Sequence, residues 1–235
     1  CFQCEQTAGC SGCTGNMGVC GKSADTAQIQ DQLTGALIGL SRSTEGNAHK
    51  LSDTTASVVV EGLFATLTNV NFDNEALLRI LQSVEEEKKK LVPDCYVCAA
   101  SCGKNNDYDM KELWNANEDI RSLKSLILFG IRGIAAYAYH AWALGYVDAE
   151  IMNFFYKGMR ILGEEKGMEE LLPVVIETGK INLRCMELLD KANTESYGDP
   201  IPTEVPLTIE KGPFIVVSGH DLHDMKLLLE RYRIH

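Results

Sequence analysis

The chain has 235 residues, 45% of them apolar, enough for a full-sized core and too many for a disordered segment. Its formal net charge of −11 works against non-specific nucleic-acid binding and against adhesion to an anionic membrane, since both reward positive charge. Nine cysteines are an odd number and tightly clustered, which points to a reducing compartment and metal ligation rather than a disulfide framework.

Residues 1–22 are rich in Gly, Cys and Thr and show no period, as expected of a loop wrapped on a cofactor. No basic region followed by an apolar run opens the sequence. The longest apolar run, Ile134 to Leu144, is too short and too polar to span a bilayer. The expectation is a cytoplasmic protein.

Spacing predicts a helix from about Thr26 to Leu40, with Leu33, Ala36, Leu37 and Leu40 on one face. Asp53-Thr-Thr-Ala reads as the start of a second, carrying Val58, Leu63, Leu67 and Val70. Asn74 reads as the cap of a third, with Leu77, Leu78, Ile80 and Leu81 inside and the charged run Glu85 to Lys90 as a solvated face. Three helices with short joints suggest a bundle. Residues 92–112 interrupt this pattern.

Helix resumes at Asn117, a cap followed by Glu118 and Asp119, with apolar positions Ile120, Leu123, Ile127, Ile131, Ile134 and Ala138. Gly145 ends it, Asp148 starts another through Phe154, Phe155 and Met159, and a long helix runs from about Met168 to Ala192. These make a second three-helix bundle.

Four prolines between Tyr197 and Pro213 mark a boundary, placing a helical domain at 1–208 and a new unit at 209–235. Phe214-Ile-Val-Val-Ser-Gly-His-Asp then reads as strand and turn, and Leu222 to Leu229 as helix. This is how a parallel α/β domain begins. One strand cannot make a sheet, so the sequence reads as a fragment, or as needing another chain.

Two cysteine groups carry chemistry. Cys1-x2-Cys4-x8-Cys13-x6-Cys20 supplies four soft ligands, suited to an iron–sulfur cluster or to tetrahedral zinc. Glycines at 9, 12, 15, 18 and 21 let backbone amides approach sulfide, which favours iron–sulfur. Cys10 is surplus and could replace Cys13. Cys95-x2-Cys98-x3-Cys102 lacks a fourth ligand, so it is either a second metal site or a set of packing or exposed thiols. Cys185, in a helical pattern, reads as a small buried apolar residue. His220, at the carboxyl end of the expected strand, stands where open α/β sheets bind ligands, although a structural role fits as well. His140 reads as a packed or surface histidine and His223 as a solvated one.

The residues also carry a resemblance. Cys-Phe-Gln-Cys-Glu-Gln-Thr-Ala at 1–8, Gly18-Val-Cys-Gly-Lys22, Asn117-Glu-Asp-Ile-Arg-Ser-Leu-Lys124, Gly133-Ile-Ala-Ala-Tyr-Ala138, Ala192-Asn-Thr194 and Val217-Ser-Gly-His-Asp-Leu222 resemble the hybrid cluster (prismane, hydroxylamine reductase) family. That family is related to the nickel carbon monoxide dehydrogenases.

The resemblance covers nearly the whole chain. It implies two three-helix bundles followed by Rossmann-like domains. It implies a 4Fe-4S cluster on Cys1, Cys4, Cys13 and Cys20, passing electrons to a hybrid 4Fe-2O-2S cluster of which His220 is one ligand. The x6 spacing resembles a branch with a 2Fe-2S cluster, and the x8 spacing the 4Fe-4S branch. Cys95, Cys98 and Cys102 have no counterpart in the pattern.

The expected function is therefore an iron–sulfur oxidoreductase reducing hydroxylamine or nitric oxide in an anaerobe under nitrosative stress. The remaining hybrid-cluster ligands would come from the rest of the polypeptide, so this chain alone should be inactive. Expected partners are a small nitrogen-containing substrate and a redox protein, with no nucleic acid and no membrane. The N-terminal loop, with only Glu5 and Lys22 charged, offers the redox protein little repulsion. The alternatives are a stand-alone iron–sulfur electron-transfer or binding module, or a zinc-stapled helical scaffold.

Overall fold

The first six helices each begin where a short polar side chain takes up a free backbone N–H, and these caps set where the helices start. The structure, a computed structural model, describes residues 1–4, 12–92, 107–218 and 222–232. Among them are eight α-helices: α1 (Ala24–Ser43), α2 (Asp53–Ala65), α3 (Asn74–Leu91), α4 (Met110–Trp114), α5 (Glu118–Ala143), α6 (Ala149–Leu162), α7 (Met168–Tyr197) and α8 (Leu222–Tyr232). The chain is mainly α, as expected. No helix of the described residues is long and apolar enough to cross a membrane.

The caps refine the expected boundaries. Ser23 accepts from the Thr26 amide and starts α1 two residues before Thr26. Ser52 and Thr55 form a reciprocal capping box at α2. Asp73, not Asn74, caps α3, and the Asn74 side chain instead accepts from Thr26 Oγ1. Asn117 and Asp148 cap α5 and α6 as read from the sequence. The α5 helix stops before Gly145, whose φ of 87° supplies the left-handed residue common after a helix end. The α7 helix continues past Ala192 to Tyr197.

Other expectations need correction. The α2 helix ends at Ala65, because Thr66 Oγ1 turns back to the Leu63 carbonyl and Asn69 takes a φ of 64°. Leu67 and Val70 therefore lie beyond it. Leu78 is exposed. The run Glu85 to Lys90 is not uniformly solvated. Glu87 is buried, accepting from Thr55 Oγ1 and Lys90, and Lys88 is buried between Glu85 and Asp107. Charged residues tolerate such burial when their hydrogen-bonding capacity is met.

The expected strand at Phe214–Val217 does not form. This segment is irregular and exposed, Ile215 and Val216 to more than 80%, and no described segment offers it a ladder. Only the helix of the expected β–α unit, α8, is in place.

The α1 helix packs on α2, α3, α4 and α6, while α5 packs on α2, α6 and most extensively α7. Helices α1–α3 and α5–α7 share one apolar core, with α1 packed on α6 and α2 on α5 across it. Because α1 is enclosed on several sides, burial extends beyond the expected stripe to Thr34, Gly35, Ile38, Gly39 and Ser41. Gly35 is required by close approach: its carbonyl accepts from the Tyr108 amide at 3.2 Å, and a Cβ there would meet the Tyr108 carbonyl oxygen. A Gly35→Ala substitution is expected to destabilise the fold by about 1–3 kcal/mol in urea unfolding.

Cys185 is fully buried at the α5–α7 contact, its Sγ 3.5 Å from the Ile134 carbonyl oxygen. Burial pushes its thiol up to about 12. Since the thiolate is the reactive form, Cys185 is expected to resist N-ethylmaleimide at pH 8 in the native protein and to react only after unfolding in guanidinium. Peptide mass mapping after timed labelling checks this.

Candidate metal centre at the N-terminal loop

The described parts of the cysteine loop are shaped by two backbone closures. Cys1 and Cys13 exchange hydrogen bonds, Cys13 N–H to the Cys1 carbonyl at 2.8 Å and the Cys1 nitrogen to the Cys13 carbonyl at 2.7 Å. Further on, Met17 and Ser23 form an antiparallel bridge, with Gly18 N–H donating to the Lys22 carbonyl. The bridge closes a tight hairpin whose tip is Val19-Cys20-Gly21. Gly21 takes a φ of 86°, which a side chain would oppose. Gly12, at a φ of 76°, is needed for a second reason: a Cβ there would lie 2.7 Å from the Phe2 ring. Phe2 in turn stacks on Trp114, ring centroids 5.8 Å apart, and ties the loop to α4.

Beneath the loop runs a buried polar network. Gln3, 2% exposed, donates through Nε2 to the Ala27 carbonyl and to Asp31 Oδ1. Its Oε1 accepts from Lys22 Nζ at 2.8 Å, and Lys22 also donates to Gln30 Oε1 at 2.6 Å. Gln30 Nε2 reaches the Asn71 carbonyl. One turn along α1, Thr34 Oγ1 donates to the Gln30 carbonyl and accepts from Arg132 Nη2, while Arg132 Nε reaches Thr66 Oγ1. The network therefore runs from the loop through α1 into the centre of the core.

Charge follows this geometry. Burial pulls the Lys22 ammonium below its ordinary value, opposed by charge at Cys20, reinforced by Arg132 and opposed again by Cys4. Burial raises the Asp31 carboxyl, against the hydrogen bond from Gln3 and the attraction of Arg132. Burial pulls Arg132 down to about 10. The sequence reading missed Gln3, Gln30, Asp31 and Arg132 and took Lys22 only as a loop charge. The signal was available: Gln30 and Thr34 interrupt the buried side of α1, and Arg132 stands beside Ile131 and Ile134.

Cys1, Cys4 and Cys13 are half-buried, Cys20 is exposed, and none of the four is in a disulfide. Cys1 and Cys13 line a hollow of about 410 Å³ with Lys22 and Asp31. Four free thiols, glycine-opened backbone and a buried cation fit the chemistry of a thiolate-held iron–sulfur cluster. Among the described residues, no three Cys, His, Asp or Glu side chains converge on a point that would hold an ion. The thiols are brought to one end of α1 without being closed into a cage. His220, Cys10, Cys95, Cys98 and Cys102 lie outside the described residues. His140 is a surface residue, edge-on to Phe64 and Tyr139, and His223 is half-buried on α8.

The sequence profile of the Prismane/CO dehydrogenase family matches residues 1–234. The chain belongs to this family. Relatives include hydroxylamine reductases of Maridesulfovibrio salexigens (40% identical), Solidesulfovibrio magneticus (41%) and Thermodesulfovibrio yellowstonii (43%). Each comparison covers 98% of this chain and 46% of the relative. The chain thus spans about half the length of the curated relatives it matches.

Gln3 is the joint between loop and helix, so its loss should be local. A Gln3→Ala substitution leaves Lys22 short of an acceptor and is expected to cost about 1–3 kcal/mol of stability. Limited proteolysis should then cut within residues 1–22 before it cuts α1.

Proposed function

We propose that the complete protein is an iron–sulfur oxidoreductase that reduces hydroxylamine to ammonia, or nitric oxide, and that this chain carries its electron-receiving centre. The observation that supports this most is the family match over residues 1–234, joined by hydroxylamine reductases about 40% identical over 98% of the chain. In this reading Cys1, Cys4, Cys13 and Cys20 hold a 4Fe-4S cluster, with 2Fe-2S the alternative. His220 is one ligand of a hybrid 4Fe-2O-2S cluster whose other ligands come from the remainder of the polypeptide. The clusters supply the redox chemistry; the protein supplies position, access and electrostatics.

The chain's own residues support the division of labour. Cys20 is exposed at the hairpin tip, next to exposed Val19, within reach of a small redox partner. Gln3, Lys22 and Gln30 hold the other side of the loop on α1 and away from water. Residues 209–235 begin an α/β domain whose sheet the remaining polypeptide completes. The apolar run Phe214–Val217 would gain its ladder there.

The test is metal and sulfide analysis with electron paramagnetic resonance on anaerobically purified protein, and hydroxylamine turnover by the full-length form with a reduced dye. Iron and acid-labile sulfide in comparable amounts are expected, lost together in Cys4→Ala. Turnover should vanish in His220→Ala while the signal assigned by Cys4→Ala persists. Stoichiometric zinc without sulfide would overturn the reading.

A further inference from the structure

Lys22 is unusual among the cations of this chain. It is 4% exposed, yet its two hydrogen-bond acceptors, Gln3 Oε1 and Gln30 Oε1, are neutral amide oxygens. Buried Lys88, by contrast, sits between two carboxylates, while buried Lys124 also has neutral acceptors, the carbonyls of Leu162 and Glu164, but does not line the hollow at the thiols. Nearby Asp31 accepts from the same Gln3 amide and forms no ion pair with Lys22, although its charge acts on the ammonium. Behind Lys22 stands a second buried cation, Arg132, linked to it through Gln30 and Thr34. In front lies the hollow bordered by Cys1 and Cys13, and the charges of Cys4 and Cys20 act on the same ammonium.

A buried charge held by neutral acceptors is not cancelled locally and is little screened by salt, so its field reaches whatever occupies the thiol end. An iron–sulfur centre held by four thiolates is anionic and gains a further negative charge on reduction. Its affinity for that electron depends on nearby charge. We propose that Lys22 is a positioning residue whose fixed charge raises the electron affinity of the cluster held by Cys1, Cys4, Cys13 and Cys20, with Gln3 and Gln30 serving to orient it without neutralising it. The proposal rests on the reading that these four cysteines hold such a cluster.

The experiment is a redox titration of the anaerobically purified holoprotein, followed by the paramagnetic signal that Cys4→Ala removes. Lys22→Met keeps the side-chain length without the charge. Iron and sulfide content should be retained, and the reduced-to-oxidised ratio at the wild-type midpoint should fall about tenfold, a shift of about 59 mV for one electron. Lys22→Arg should restore most of the wild-type ratio. Gln30→Glu, which keeps Lys22 but sets a carboxylate against it, should lower the ratio in the same direction.

An unchanged midpoint in a cluster-bearing Lys22→Met protein overturns the role of Lys22 and leaves the four-cysteine reading standing. If Lys22→Met fails to hold iron, Gln30→Glu decides. Loss of the cluster in both makes Lys22 a folding residue and overturns the proposal. Wild-type protein without iron and sulfide overturns both.

Discussion

The burial of positive charges among neutral acceptors, at Lys22 and Arg132 above all, is the constraint on which this structure depends. Lys22 and Arg132 both lie in regions that would otherwise be filled by aliphatic side chains, and neither forms an ion pair among the described residues. A buried cation is tolerated only when its donors are met, and here that demand dictates the identities of Gln3, Gln30, Thr34 and Thr66. It also dictates topology. Thr34 lies on α1, Thr66 at the end of α2 and Arg132 in the middle of α5, so satisfying one guanidinium locks three helices in register. One Arg132 nitrogen, Nη1, has no partner among the described atoms. That leaves the network short of full compensation at its inner end.

The loop at the other end is organised by the same logic. It has little apolar surface with which to hold itself on the bundle, and its anchors are specific: Phe2 on Trp114, Gln3 on Ala27 and Asp31, and the Cys1–Cys13 backbone pair. The thiols are therefore presented by backbone closures and a polar base rather than by helices of their own. Such an arrangement suits a centre whose bonds to the protein are made by four residues scattered over twenty positions.

Much of this was legible in the sequence. The six long helices announced themselves through period and caps, and Asn117, Asp148, Gly145 and the apolar positions of α5 were read correctly because each reflects a local rule. Leu78 and the Glu85–Lys90 run were misjudged because burial there depends on what packs against α3, which no window of the sequence contains. Phe214–Val217 has the composition of a strand, but a strand exists only with a partner. The four cysteines were visible as a cluster of thiols, while the base beneath them was not. Lys22 looked like a loop charge, and only the fold brings Gln3, Gln30 and Arg132 to bear on it.

The network from Gln3 to Arg132 has a consequence for how such a chain can change over time. Its members exchange donors and acceptors in series, so replacing any one leaves a neighbour with an unpaired group in a dry setting, at a cost of about 1–3 kcal/mol. Against a total stability of the order of 5–15 kcal/mol, few single steps of that size are survivable. Residues 3, 22, 30, 34, 66 and 132 thus form one heritable unit spread over the chain, expected to be exchanged together or kept together. Solvent-facing positions of α7, such as Leu183 and Met186, are free to drift one at a time.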